Sequence, residues 1–113
     1  MGKIITEFEN REKFKNFVKS FNGVVIVKFG ATWCSPCKRI KPYVMHRFSE
    51  LKGNVVLADL DIDENEDVYT FSKCTKIPTM VSFVKGDKMD VVVGENQDDL
   101  NAFFNKVEAH LSI

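Results

Sequence analysis

The chain has 113 residues, 44% of them hydrophobic and 28% charged, the balance of an ordinary soluble globular protein with one modest core. Lysine plus arginine and aspartate plus glutamate number 16 each, so nothing in the net charge of zero recommends nucleic acid or an anionic membrane as partner. No apolar run approaches the roughly 18–20 residues that span a bilayer, and Met-Gly-Lys-Ile-Ile-Thr lacks the apolar stretch of a signal peptide.

Ile4–Phe8 reads as a short apolar strand. Gly2 and Thr6 also match the short N-myristoylation pattern, and against it stands the strand reading of Lys3–Phe8. Asn10 offers a helix cap, and Phe14, Phe17, Val18 and Phe21 then recur at helical spacing. Asn22-Gly23 closes that helix. Val24–Phe29 is a continuous, largely β-branched run, as in a strand buried on both faces, interrupted only by Lys28. A helix is expected from Ser35, with Ile40, Tyr43, Val44, Phe48 and Leu51 inward and Pro42 inside it as a kink. Asn54–Asp61 reads as a second buried strand, and Val68 with Phe71 marks a short helix. After Pro78 the pattern changes. Thr79–Lys85, a turn at Gly86-Asp87 and Lys88–Val93 predict an antiparallel hairpin. Asn96 then caps a last helix striped by Leu100, Phe103, Phe104, Val107 and Leu111. The order β-α-β-α-β-α-β-β-α predicts one α/β domain over residues 1–113, a mixed five-stranded sheet with helices on both faces.

The chemistry concentrates in W-C-S-P-C, residues 33–37. Cys34 falls where a strand ends and a helix begins, so unpaired backbone N–H groups and the positive end of the helix dipole favour its thiolate. A Cys-x-x-Cys thiol in such a place can drop from a pKa of about 8.5 into the range of roughly 3.5–7.5. Cys34 and Cys37 stand one helical turn apart, within reach of a disulfide, and Pro36 is tolerated in a first turn. The pattern makes Cys34 the exposed nucleophile and Cys37 the covered, resolving thiol. A structural zinc site needs four ligands, and the chain has no second C-x-x-C; Cys74, His46 and His110 are scattered. A permanent structural staple gains little from so small a ring. Three cysteines, an odd number, argue for a reducing, cytoplasmic setting.

F-G-A-T-W-C-S-P-C-K-R-I-K-P, residues 29–42, resembles the active-site segment of the thioredoxin family, in particular its cytosolic eukaryotic members. K-I-P-T resembles the family's cis-proline loop, V-V-V-G-E its glycine-bearing substrate loop, and Pro42 its helix-kinking proline. The likeness covers nearly the whole chain. It implies the thioredoxin fold, a Cys34–Cys37 disulfide in the oxidised state, and a substrate groove made by Trp33, Ser35, Pro36, Ile77, Pro78, Val93 and Gly94. It implies a cis bond at Ile77-Pro78, facing the dithiol and able to pair with an extended substrate segment. Cys74 takes the place of an apolar core residue, so it is expected buried and inert; His46 and His110 receive no catalytic role.

Two positions depart from the family. Ser35 replaces a usual glycine. Lys28 replaces a buried aspartate that serves as proton acceptor for the resolving cysteine, while Asp59 sits where some members carry its lysine partner. The two residues read as an exchanged ion pair, with Asp59 as the candidate base and Lys28 tuning the thiols. The alternative is a lysine that reaches water along its stem. The function implied is reduction of protein disulfides by a monomer with no bound cofactor or metal. Electrons then come from NADPH through a thioredoxin reductase, and peroxiredoxin-like or reductase enzymes are plausible substrates. A redox-gated binding module, and an oxidase or isomerase on the same fold, remain the alternatives.

Overall fold

Residues 2–112, which the computed structural model describes, form five strands and four helices: β1 Lys3–Ile5, α1 Arg11–Ser20, β2 Val24–Gly30, α2 Ser35–Glu50, β3 Val55–Asp61, α3 Glu66–Ser72, β4 Thr79–Val84, β5 Asp87–Val93 and α4 Gln97–Leu111. The strands make one sheet in the order β1-β3-β2-β4-β5. β1 and β2 run parallel to β3, and β4 pairs antiparallel with both β2 and β5. The two crossovers and the final hairpin follow the predicted element order.

Alternation along the central strands divides the core. Val24, Ile26, Val55 and Leu57 point to one face, where Ile40, Val44 and Phe48 of α2 and Phe103, Phe104 and Val107 of α4 cover them. Val25, Val27, Phe29, Val56, Ala58 and Leu60 point to the other, beneath Phe14 and Val18 of α1 and Val68 of α3. Every residue of β2 is buried, Lys28 included. Asn10 and Asn96 cap as expected, each side-chain oxygen accepting the N–H three residues on at 3.0 Å. Pro42 lies inside the unbroken span of α2 and removes one donor there.

Two expectations change. β1 ends at Ile5, short of Phe8. Beyond it a side chain takes over: Asn65 Oδ1 accepts the Phe8 N–H at 3.0 Å, while its Nδ2 donates to the carbonyls of Asp61 at 3.0 Å and Thr6 at 3.3 Å. The hairpin turn is Lys85-Gly86, one residue earlier than predicted. Val84 pairs with Asp87, and the two loop residues have φ of 52° and 90°. Positive φ at both positions suits the right-handed twist of the flanking strands, and glycine takes it without cost.

Candidate active site around the dithiol

β2 delivers the chain to Gly30, and α2 starts at Ser35 with Cys34 as its N-cap. The cap is the sulfur itself: the Cys37 N–H donates to Cys34 Sγ at 3.3 Å. Cys34 and Cys37 are joined as a disulfide, their Cα atoms 5.3 Å apart. Ala31, Ile62 and Ile77 pack round the pair. In this state Cys34 is 6% exposed and Cys37 4%, which corrects the expectation of an exposed Cys34 beside a covered Cys37. What distinguishes the two is position. Cys34 stands at the helix end, while Cys37 lies one turn in, with its Sγ 3.4 Å from where a Cβ on Gly30 would be.

Lys28 Nζ lies at that same 3.4 Å from the Gly30 position, so it and Cys37 Sγ are at most twice that distance apart. The strand register sets Lys28 beside Asp59, and both point to the α2 face. Their ion pair is 3.2 Å long, with side chains 5% and 17% exposed, so Lys28 does not reach water along its stem. Lys41 Nζ stands 4.0 Å from the other Asp59 oxygen. A cleft of about 750 Å³ is lined by Cys37, Lys28, Asp59 and Lys41, among others.

The remaining expected residues lie at the start of α2, just before β4 and at the end of β5. Trp33 is 64% exposed, and Ser35 and Pro36 follow in the first turn of α2. The Ile77-Pro78 bond is cis. The Gly94 N–H donates to the Pro78 carbonyl at 2.9 Å, so the two loops are one unit. Gly94 has φ of 95°, and beyond its two chain neighbours no residue comes within 4 Å of where its Cβ would be. Val93 beside it is 48% exposed.

Four further residues hold this arrangement, and none was singled out from the sequence. Asp63 accepts the Trp33 indole N–H at 2.8 Å, and Asp61 accepts the Thr32 N–H at 3.2 Å. Arg39 on α2 donates twice to Glu95, at 2.8 and 3.0 Å, tying the helix to the Gly94 loop. That contact holds the Glu95 carboxyl below its ordinary range and the Arg39 guanidinium above its own, chiefly through the hydrogen bonds. A signal existed for the aspartates: D-L-D-I-D-E-N places short acceptors at a strand end, where they bond neighbouring backbone. Arg39 and Glu95 are 56 residues apart and carry no local signal. Cys74 is half-buried rather than buried. His46 and His110 lie elsewhere, beside Glu50 and Asp90.

A cysteine pair at disulfide distance on a strand-to-helix junction, in a five-stranded mixed sheet, defines a thiol–disulfide oxidoreductase. A family model described as Thioredoxin matches residues 5–106. A thioredoxin of Equus caballus is 37% identical over 100 residues, covering 88% of this chain and 94% of that protein. The solved thioredoxin of Plasmodium falciparum superposes with a TM-score of 0.78 at 31% identity, covering 92% of this chain and 97% of its own. A chain from a structural study of thiol resolution in yeast mitochondrial 1-Cys peroxiredoxin, via glutathione/thioredoxin systems, gives a TM-score of 0.74 at 27% identity, over 90% and 94%. The protein belongs to the thioredoxin family, and its function is protein disulfide oxidoreduction, which requires no bound cofactor.

Proposed function

We propose that the chain reduces protein disulfides as a monomeric, single-domain, cytoplasmic electron carrier, with Cys34 as attacking thiol and Cys37 as resolving thiol. The Cys34 thiolate attacks one sulfur of a substrate disulfide, and the other sulfur leaves as thiolate and takes up a proton. Cys37 then loses its proton and attacks Cys34 Sγ. The substrate departs as a dithiol, and the two electrons it gained are balanced by the new Cys34–Cys37 disulfide. Reduction by NADPH through a separate thioredoxin reductase restores the dithiol and serves redox homeostasis. The observation that carries this reading is the disulfide at the N-cap of α2.

Trp33, Ser35, Pro36, Ile77, Pro78, Val93 and Gly94 form the groove for an extended substrate segment. The empty space over Gly94 supports this, since an approaching backbone meets no Cβ there. Peroxiredoxin-like proteins are suitable substrates, in keeping with the origin of one structural neighbour. Asp59 takes the proton of Cys37, directly or through a water, because it is the acceptor in the cleft nearest the buried cation. Lys28 cannot accept a proton; its charge favours thiolate. Reduction of insulin disulfides with NADPH and reductase tests the whole reading. Many turnovers per protein are expected. A single stoichiometric release points instead to a redox-gated binding module, and faster oxidation than reduction of a dithiol substrate points to an oxidase.

A further inference from the structure

A second cavity, of about 310 Å³, opens on the opposite side of β2 from Lys28, between α1, α3 and the β4–β5 hairpin. Its walls are apolar: Val18 of α1, Val27 and Phe29 of β2, and Phe83 of β4. Phe71 and Cys74 close the α3 side. The dithiol, Trp33 and Pro78 do not line it. Its charge is one-sided. Lys15 and Lys19, four residues apart on α1, and Lys88 on β5 all line it, and no aspartate or glutamate does. Among the described residues, none of these three lysines enters an ion pair. Lys15 Nζ rests 5.5 Å from the centre of the Phe71 ring, which places an ammonium at the lip of the slot.

We propose that this slot binds a free alkyl carboxylate, its chain among Val18, Phe29, Phe71 and Cys74 and its carboxylate at the lysine rim. The size decides against a macromolecule: the cavity lies near the lower limit of small-ligand sites, about 300–1,000 Å³, and has no room for a helix. The charge decides against a neutral or cationic amphiphile. An apolar wall takes the chain, and each unpaired ammonium attracts the one negative group.

The slot carries its own reporter. With Cys34 and Cys37 held as the disulfide, Cys74 is the one remaining thiol, so its rate of alkylation by N-ethylmaleimide reads access to the cavity. Dodecanoate below its micelle concentration should slow that rate saturably. It should also move the amide NMR signals of Val18, Phe71 and Cys74, leaving Trp33 and Gly94 unmoved. Lys15→Glu and Lys88→Glu, both at exposed residues, should each raise the half-saturating concentration about fivefold. Equal protection by dodecyltrimethylammonium overturns the proposal, because the rim then selects nothing. So does protection only above the micelle concentration, no effect of either charge reversal, or signal movement confined to the dithiol groove.

Discussion

In the disulfide state both cysteines are buried almost equally, so the proposed division of labour between them rests on where each sits. Cys34 is the helix cap, and Cys37 is one turn in, against Gly30 and near Lys28. Cys37→Ser should therefore accumulate a stable mixed disulfide through Cys34, visible on a non-reducing gel, while Cys34→Ser accumulates little. The reverse pattern refutes the assignment. Lys28 and Asp59 make a second test at this scale. Removing one member of a buried pair typically costs about 3–5 kcal/mol, because the other charge stays buried. Lys28 is the more buried of the two, and Asp59 keeps Lys41 within 4.0 Å. Asp59→Asn should thus cost about 3 kcal/mol in urea unfolding, and Lys28→Met distinctly less. Lys28→Met with Asp59→Leu should recover most of the loss. Resolution of the mixed disulfide separates stability from chemistry: it should stay slow in the double variant, which has no base. Normal resolution there removes Asp59 from the proposed mechanism.

Among the elements, α2 and the loop after β5 are the two banks of the proposed groove, and a surface ion pair joins them. Arg39 holds Glu95 by two hydrogen bonds that lower the Glu95 pKa from its ordinary 4.5. A folded pKa below the unfolded one means that the contribution to stability is present above about pH 4.5 and is lost as pH falls through the folded value. Arg39→Gln should raise the Glu95 pKa measured by NMR and leave neutral-pH stability nearly unchanged, as both side chains are exposed. An unmoved Glu95 pKa shows the pair to be absent in solution. Gly94 is bound to Pro78 and sits at φ of 95°, with open space where a Cβ would be. Gly94→Ala should therefore cost about 1–2 kcal/mol from backbone conformation alone. Its added methyl should also raise KM for a protein disulfide more than it lowers kcat. An unchanged KM takes the Gly94 loop out of the groove.

At the scale of the whole molecule, much was legible from the sequence because the signals were local. Continuous β-branched runs gave β2 and β3, aromatic stripes gave α1 and α4, and Asn10 and Asn96 marked helix starts that the structure places within a residue. The Lys28–Asp59 pair was legible for a different reason: a lysine in an apolar strand must find a partner or water, and the family resemblance pointed to Asp59, which stands where some members carry the lysine of such a pair. The end of β1 was not legible, since a strand sequence continues to Phe8 while Asn65, far along the chain, captures its backbone. The Arg39–Glu95 link and the slot beside Cys74 also arise only when distant elements pack. The cores on both faces of the sheet bear on one last expectation. A carrier that cycles between disulfide and dithiol has to remain folded in both states, so the Cys34–Cys37 bond must contribute little. Closing a ring of four residues removes enough unfolded-state entropy for about 2 kcal/mol. At a urea slope of about 1–3 kcal/mol per molar, the oxidised protein should unfold about 1 M later than the reduced protein, with the same slope. A reduced form already unfolded without urea makes the disulfide a structural staple and removes the basis for catalytic cycling. Two cooperative transitions about 1 M apart place the stability in the apolar faces of the sheet, where β2 and β3 are sealed by all four helices.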